Sequence, residues 1–591
     1  MQKYGSISAL SRKQFLETML VLMTAELVDA LCGVIDGIFV GQFLGEQALA
    51  AHGIAMPVFI VLSIFSYMIT VGFQQMCTVY IGKGEKEHAN GIFTASIYLT
   101  LGIAILITIP GVLFSHPIAH LMGAPQNGII NDMAADYLKA VFWGTPLLLM
   151  FLSLIPVLQL DGGRKLVYIS CFVMFVADVI MDWLNATVFH GGMWGFGMAT
   201  FVSYLMGLLV LLVYFLKKDR LLHLRPGSIR DSRPMDIITS GLPAGIRVGA
   251  HSVALIALNA LVMGTVGATA MAAFSVQQNL ATMLLSVGIG LSGATLLLTG
   301  IGYGEQDRRS LMDVVRMSGY SCVCIVGLFS AVVFVLAKPL VSLYLSSTES
   351  SFTLAVHAVR YLALSLPLSA WVYCSGCYEQ GIEHKWKATW VFLGQELLAL
   401  LPCAILLGWL WGAEGIFASF AVSQVVVILS MALHSFLHRD RRYKGLEAYL
   451  NVPADFGVPP EDRRLRTLER QQEVWELSAL AQSFCTERGL STAASYLVSM
   501  YIEEMGNIIM LYGFADGKPH KLEIRLSMKD GKAILRFRDD CRRFDITELA
   551  SHWQEDPEHP ETTIGVRMVM QSGGLVRYDN SLSTNNLIIQ I

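Results

Sequence analysis

Apolar runs of about 20 residues recur along this chain, and that recurrence limits its fold more than any other feature. One set lies near residues 15–40, 54–80, 91–113, 136–159, 166–189 and 193–216; a second lies near 237–263, 271–300, 316–337, 355–379, 388–411 and 414–437. Each is long enough to cross a bilayer as a helix, the segment structure that satisfies its own backbone there. Pro110, Pro146, Pro156, Pro243, Pro367 and Pro402 fall inside these runs, which membrane helices tolerate. Only 15% of the 591 residues are charged and 54% are hydrophobic, which excludes an ordinary soluble protein. The run after Arg12 and Lys13 is too long for a cleaved signal and predicts a retained span. The ten cysteines are scattered; Cys374 and Cys377 lie in an apolar run without a second ligand pair and read as helix packing.

The predicted organisation is an all-α polytopic bundle of twelve transmembrane helices followed by a soluble α/β sandwich. Its parts are a first six-helix bundle (1–216), a polar basic linker (217–235), a second six-helix bundle (236–440), a charged linker (441–469) and the soluble domain (470–591). The two bundles repeat. GEQALAA at 45–51 resembles GATAMAA at 267–273, LQLDGGRK at 158–165 resembles YEQGIEHK at 378–385, and GMWGFGMA at 192–199 resembles GAEGIFAS at 412–419. Such a repeat predicts two similar bundles with a site between or within them. Allowing a one-residue gap, Asp36 falls opposite Asn259. Lys and Arg concentrate in alternate loops, at 12–13, 83–86, 164–165, 217–233, 308–309, 385–387 and 439–442, with Lys338 the main exception. The positive-inside rule then puts both termini in the cytoplasm of a plasma-membrane protein.

Ionisable residues inside such runs are costly and mark function. Glu26, Asp29 and Asp36 fall on one helical stripe with Gly33 between them. Asp178 and Asp182 share a face of the fifth span, and Thr200 in the sixth lies at comparable depth to them and to Asp36. Crowded oxygens of this kind suit a proton, a hard cation such as Na+, or a cationic substrate. In the second half, Arg247 and His251 share a face of the seventh span and Glu396 lies in the eleventh; an Arg247–Glu396 salt bridge is the simplest expectation. Gln277, Gln278 and Asn279 either line a cavity or serve polar packing.

These residues, with Asp36-Gly-Ile-Phe-Val-Gly, GEQALAA and the six-plus-six repeat, resemble the multidrug and toxic compound extrusion (MATE) transporters over roughly residues 10–440. The resemblance implies a secondary antiporter that expels organic, often cationic, molecules in exchange for Na+ or H+. It implies coupling roles for Asp36, Asp182 and Thr200, and for Asp178, which stands where the family often has Asn. Glu26, Asp29, Asn259, Arg247, His251, Gln277, Gln278 and Glu396 are candidates for the substrate cavity. The first span has no proline, so a bend there would use Gly33.

From about residue 470 the charge is that of a soluble domain. Helical patterns run through EVWELSALAQSFCTERG and TAASYLVSMYIEEMGNIIMLYGF, KLEIRLSM and AILRFRD alternate around Asp530-Gly531 as a hairpin, and LVRYD and NLIIQI read as strands. The order of Glu503, Asn507, Asp539 to Asp545 and Thr562 to Arg567 resembles the anti-sigma-factor serine kinases of the histidine-kinase-like ATPase superfamily. That implies ATP held with Mg2+ by Asn507, Glu503 as general base, Asp539 reading adenine and Gly565 near the phosphates. Cys541 and Thr563 stand where glycines are expected. Three alternatives remain beside an antiporter with a nucleotide-binding-like domain: a membrane-anchored sensor kinase, a lipid flippase of the same superfamily, and a last domain that only binds a regulatory protein partner. Nothing in the sequence points to nucleic acid.

Overall fold

The apolar runs form helices α1 (Ala9–Phe39), α2 (Glu46–Lys83), α3 (Lys86–Leu113), a short α4 (Ser115–Leu121), α5 (Ile129–Leu160), α6 (Arg164–Leu184) and α7 (Gly192–Leu212). The second set forms α8 (Pro234–Thr265), α9 (Ala268–Gly304), α10 (Arg308–Ser321), α11 (Gly327–Val335), a short α12 (Ala337–Ser342), α13 (Phe352–Gly381), α14 (Lys385–Leu393) and α15 (Leu400–Leu437). This is a computed structural model; it describes residues 7–124, 128–217, 220–225, 233–345, 351–441, 443, 445–453, 455–543, 545, 560–571 and 575–591. Among the described residues eleven helices are long and apolar enough to cross a membrane, six in the first half and five in the second.

The last of these, Lys385–Leu437, has 53 residues. A straight helix of that length would measure about 80 Å, more than twice the apolar thickness of a bilayer. It is not straight. Gly412 has φ 61° and ψ −136°, outside the helical region. A Cβ placed on Gly415 would lie 3.0 Å from the backbone nitrogen of Gly408. Seven residues along an unbroken helix span about 10 Å, so the chain folds back at Gly412.

Backbone conformation carries the internal repeat. Gly45 (φ 83°) opens α2 and Gly267 (φ 94°) opens α9; Gly84 (φ 73°) and Gln306 (φ 53°) follow their ends; Gly192 (φ 60°) and Gly412 (φ 61°) form a third pair. Left-handed conformations are cheap only for glycine, and these recur at matching places in both halves. The halves meet where α2 crosses α8. A Cβ on Gly72 would strike the Ile237 carbonyl, and one on Gly241 would strike the Met68 carbonyl, so the two backbones approach as only glycine permits.

Past Leu437 the chain forms β1 (Arg463–Leu468), α16 (Gln472–Glu487), α17 (Thr492–Ile508), β2 (Leu522–Lys529), β3 (Lys532–Asp539), α18 (Pro560–Gln571), β4 (Leu575–Ser581) and β5 (Thr584–Gln590). The strands make one antiparallel sheet in the order β1-β2-β3-β5-β4. Asp530 and Gly531 both have positive φ, 52° and 75°, the primed turn expected of that hairpin. Strand β1 corrects the sequence reading, since it lies inside the stretch read as a charged linker (441–469) and pairs with β2 over its whole length.

The period of two along each strand divides the sheet. Leu522, Ile524, Leu526, Leu535, Phe537, Leu587 and Ile589 face the helices and form one core with Val498, Ile502 and Met505. The opposite face carries Glu523, Arg525, Arg536, Arg538, Arg577 and Asn586, and it docks on the basic-loop end of the helical bundle. Arg536 donates to Glu305 at 2.8 Å and to Asp307 at 3.2 Å. Arg525 pairs with Asp307 and Arg538 with Glu305. Arg577 donates to the carbonyls of Gly82 at 2.9 Å and Ile81 at 3.2 Å, in the last turn of α2. The Leu582 amide donates to the Leu160 carbonyl at 2.8 Å. One sheet face therefore touches loops of both halves.

Candidate functional site

Asp36 near the end of α1 and Asp178 and Asp182 on α6 come together. Their carboxyl groups face one another within hydrogen-bonding range, and Asp178 also meets Ser203 and Cys32. Asp178 and Asp182 are each 1% exposed. Asp36 Oδ1, Asp178 Oδ2 and both oxygens of Asp182 have no hydrogen-bond partner among the described residues. Acceptors that face acceptors without a donor need a proton between them, and among the described residues the three acids are not grouped as a metal-ion shell. Two widened π-helical turns, Val40–Leu44 and Asn185–Phe189, immediately follow α1 and α6, and such turns often mark functional sites. Tyr137, fully buried on α5, lies close to all three acids. Thr200 does not join them: its hydroxyl donates to the Phe196 carbonyl at 3.3 Å, and Ser203 is the hydroxyl that meets Asp178.

Below the triad on the same stripe, Glu26 and Asp29 line a cavity of about 170 Å³ between the halves. Tyr67, Phe151 and Met174 contribute from the first half, and Arg247, Tyr373 and Phe392 from the second. The Tyr67 hydroxyl donates to Glu26 at 3.1 Å and the Tyr204 hydroxyl donates to Asp29 at 2.9 Å. Asp29 lies close to Asp178, so the acids form a continuous line from cavity to triad.

The expected Arg247–Glu396 salt bridge is replaced by another arrangement. Glu396 pairs with His251 at 2.9 Å and accepts from the Tyr373 hydroxyl at 2.7 Å. The Arg247 guanidinium lies over the rings of Tyr67 and Tyr373, 5.3 and 5.4 Å from their centroids. A π-helical turn, Gly394–Leu398, carries Glu396. Asn259 and Gln278 are half-buried, Gln277 is buried with neither amide atom partnered among the described residues, and none of the three lines the cavity. Sequence reasoning missed Tyr67, Tyr204, Tyr373, Tyr137, Ser203 and Cys32. The tyrosines left a signal, because a phenol inside an apolar run needs a partner for its hydroxyl.

In the soluble part, Glu503 and Asn507 lie one turn apart on α17. Glu503 accepts from the Ser478 hydroxyl, and Asn507 Oδ1 is buried without a partner among the described residues. Asp539 ends β3, and its Oδ1 accepts from the Cys541 amide at 3.1 Å and from Asn585 at 2.7 Å. Burial pushes its carboxyl up to about 6, against the pull of those donors. Cys541 is buried, and a Cβ on Gly513 would lie 3.1 Å from its sulfur. Gly565 is in α18, where the side chains of 560–565 lie outside the described residues, as does Phe544 altogether. Among the described residues no group of three or more His, Cys, Asp or Glu is placed to hold a metal ion.

The MatE family pattern matches residues 22–184 and 243–385, more than half of the chain and the helices that carry the triad and the cavity. The chain belongs to the MatE family. It is a multi-pass membrane protein of MATE type. Similar proteins include the probable multidrug resistance protein YoeA of Bacillus subtilis, 25% identical over 416 residues, covering 68% of this chain and 85% of YoeA. Another is the multidrug export protein MepA of Staphylococcus aureus, 22% identical over 438 residues, covering 73% of this chain and 94% of MepA. Among solved structures, an outward-facing multidrug resistance MATE transporter of the MOP superfamily superposes with a TM-score of 0.67 at 21% identity, covering 71% of this chain and 94% of that one. A MOP superfamily transporter from Pyrococcus furiosus gives 0.66 at 22% identity, covering 72% and 96%. At these identities the structural likeness shows the fold. These relatives are nearly spanned by about seven-tenths of this MATE chain, which thus has a large segment beyond them.

Proposed function

We propose that this MATE protein is a secondary antiporter that exports organic cations in exchange for Na+ or H+. The observation that carries the reading is the set of unpartnered carboxylate oxygens of Asp36, Asp178 and Asp182, joined through Asp29 to Glu26 in the cavity. A coupling ion on the triad and a cation in the cavity draw on the same line of negative charge, so occupancy of one disfavours the other, which is the requirement for exchange. The aromatic rings and carboxylates of the cavity suit a flat organic cation. Twelve crossings follow from taking Gly412 as the second half's counterpart of Gly192. With the basic loops inside, both termini are cytoplasmic in the plasma membrane.

The soluble part acts as a docked regulatory module, because its arginine face bridges loops of both halves and alternating access requires those halves to move. A second reading keeps ATP and Mg2+ at Glu503, Asn507, Asp539 and Gly565, favoured by the unpartnered Asn507 Oδ1. The docking reading is preferred, since its ion pairs are present in the structure whereas the ATP reading rests on one unpartnered oxygen.

Purified protein in proteoliposomes, loaded with a fluorescent organic cation under separately imposed Na+ and pH gradients, tests the transport reading. One gradient is expected to drive cation movement in the opposite direction; movement indifferent to both would overturn antiport.

A further inference from the structure

Three arginines stand in one row across the docked sheet. Arg525 is opposite Arg536 in the β2–β3 pair, Arg536 opposite Ile588 in the β3–β5 pair, and Ile588 opposite Arg577 in the β4–β5 pair. Residues opposite one another share a face, and neighbouring strands lie about 5 Å apart, so the sheet holds Arg536 and Arg577 about 10 Å apart. The row ends on different halves of the bundle. Arg525 and Arg536 hold Asp307 and Glu305, just past the end of α9. Arg577 holds the carbonyls of Ile81 and Gly82 in the last turn of α2.

Between these two anchor points lies the seam where the halves are pressed together. A Cβ on Gly82 would lie 3.0 Å from the Gly304 Cα, and one on Gly304 would lie 2.9 Å from the Gly82 Cα. Along the same seam a Cβ on Gly300 would strike the Thr78 hydroxyl, and one on Gly290 would strike the Met23 backbone. Each of these pairs joins a residue of the first half to one of the second. Towards the other ends of α1, α2 and α8, a Cβ on Gly33, Gly37, Gly53 or Gly264 would meet nothing within 4 Å. These close approaches therefore gather at the basic-loop end, under the sheet. With the basic loops inside the cell, that is an outward-facing state.

We propose that the docked domain is a clamp on this outward-facing state. Opening the cavity to the cytoplasm must part the ends of α2 and α9. The sheet fixes the spacing of its arms, and the arms have little slack: Arg525 and Arg536 are buried and each is shared between two acids. Both anchors cannot then be kept while the seam opens. Docking holds the seam closed, and by reciprocity an open seam expels the domain. The inference rests on the docked-module reading above and adds which state the module holds.

Thr78→Cys in the full chain, in nanodiscs, reports the seam, because Thr78 is fully buried there. The measurement is its rate of modification by a maleimide, followed by peptide mass spectrometry so that the native cysteines are counted separately. Modification through brief openings tracks the open population. Arg577→Gln removes the arm to the first half and Glu305→Gln weakens the arm to the second. A clamp needs both arms, so each substitution should raise the rate by about tenfold or more. Each variant's own melt reports its folding. Gly84→Ala reaches the first arm without touching the sheet, since a Cβ there would strike the Arg577 guanidinium. Hydrogen exchange of the peptide carrying Leu582, whose amide reaches the Leu160 carbonyl, reads docking separately. An unchanged rate in folded variants overturns the clamp, as does a rise on loss of one arm only. If exchange at Leu582 has risen in Glu305→Gln while the rate has not, the docked-module reading stands without the clamp; if neither has risen, both fall.

Discussion

Removing Glu305 should release the soluble part from the bundle. Its carboxylate is 4% exposed and accepts from Arg536 at 2.8 Å, from Arg538 and from Asn586 at 3.1 Å. In Glu305→Ala the buried Arg536 and half-buried Arg538 lose their nearest carboxylate, and Arg536 is left to share Asp307 with Arg525. Deleting one partner of a buried pair costs about 3–5 kcal/mol, because the other charge stays buried. At 1.4 kcal/mol per decade that shifts the docking equilibrium by roughly two to three and a half decades. Lys13→Ala is the control: Lys13 pairs with Asp540 at 2.6 Å but is half exposed, and such a pair is worth about 0–1 kcal/mol. The Leu582 amide bonds to the Leu160 carbonyl across the junction, so hydrogen exchange in the peptide carrying it reads docking. Glu305→Ala should raise that exchange by about two decades or more, and Lys13→Ala by less than about tenfold. The sign of the pH dependence follows from the same groups. Burial alone would raise the Glu305 and Asp307 carboxyls, but Arg536 and Arg538, with Arg525 at Asp307, hold both below the usual carboxylate range. Burial lowers Arg536, which stays cationic because arginine starts above about 12. The junction should be constant above pH about 5, where both forms are ionised, and should weaken as pH falls below the free carboxylate values near 4 towards the depressed ones. Unchanged exchange at Leu582 in Glu305→Ala would refute the claim that these pairs hold the domain.

Two other outcomes follow. Reporter fusions after residue 444 should be active only in the cytoplasm, and activity only outside the cell would reverse the orientation. In full-length protein, Asp539→Asn should leave any response to ATP and Mg2+ unchanged and adenosine should not bind; a tenfold loss of ATP affinity in calorimetry would restore the adenine reading.

The spans and the repeat were legible because lipid leaves the backbone no other choice and because left-handed positions such as Gly45 and Gly267 recur with their flanking motifs. The stripe of Glu26, Asp29 and Asp36 was legible for the same helical reason. The partner of Glu396 was not. Arg247 and His251 share a helix face, and which of them meets Glu396 depends on how α8 is rotated against the π turn at Gly394–Leu398, which spacing does not encode. Strand β1 was hidden because Arg463, Arg464 and Arg466 gave the run RRLRTL the look of a solvated linker. The arginines of β2 and β3 alternate with apolar residues as any solvent face does. Only the structure shows Glu305 and Asp307 waiting opposite them.

The most direct test is transport by Asp36→Asn. The variant should reach the membrane in wild-type amount and fold, because asparagine keeps the shape while replacing the ionisable oxygen by an NH2 donor that cannot take up or release a coupling ion. In proteoliposomes with the driving gradient imposed, it should show no gradient-driven cation movement. Antiport at the wild-type rate by Asp36→Asn would contradict the account, since the unpartnered acids of the triad would then have no part in coupling.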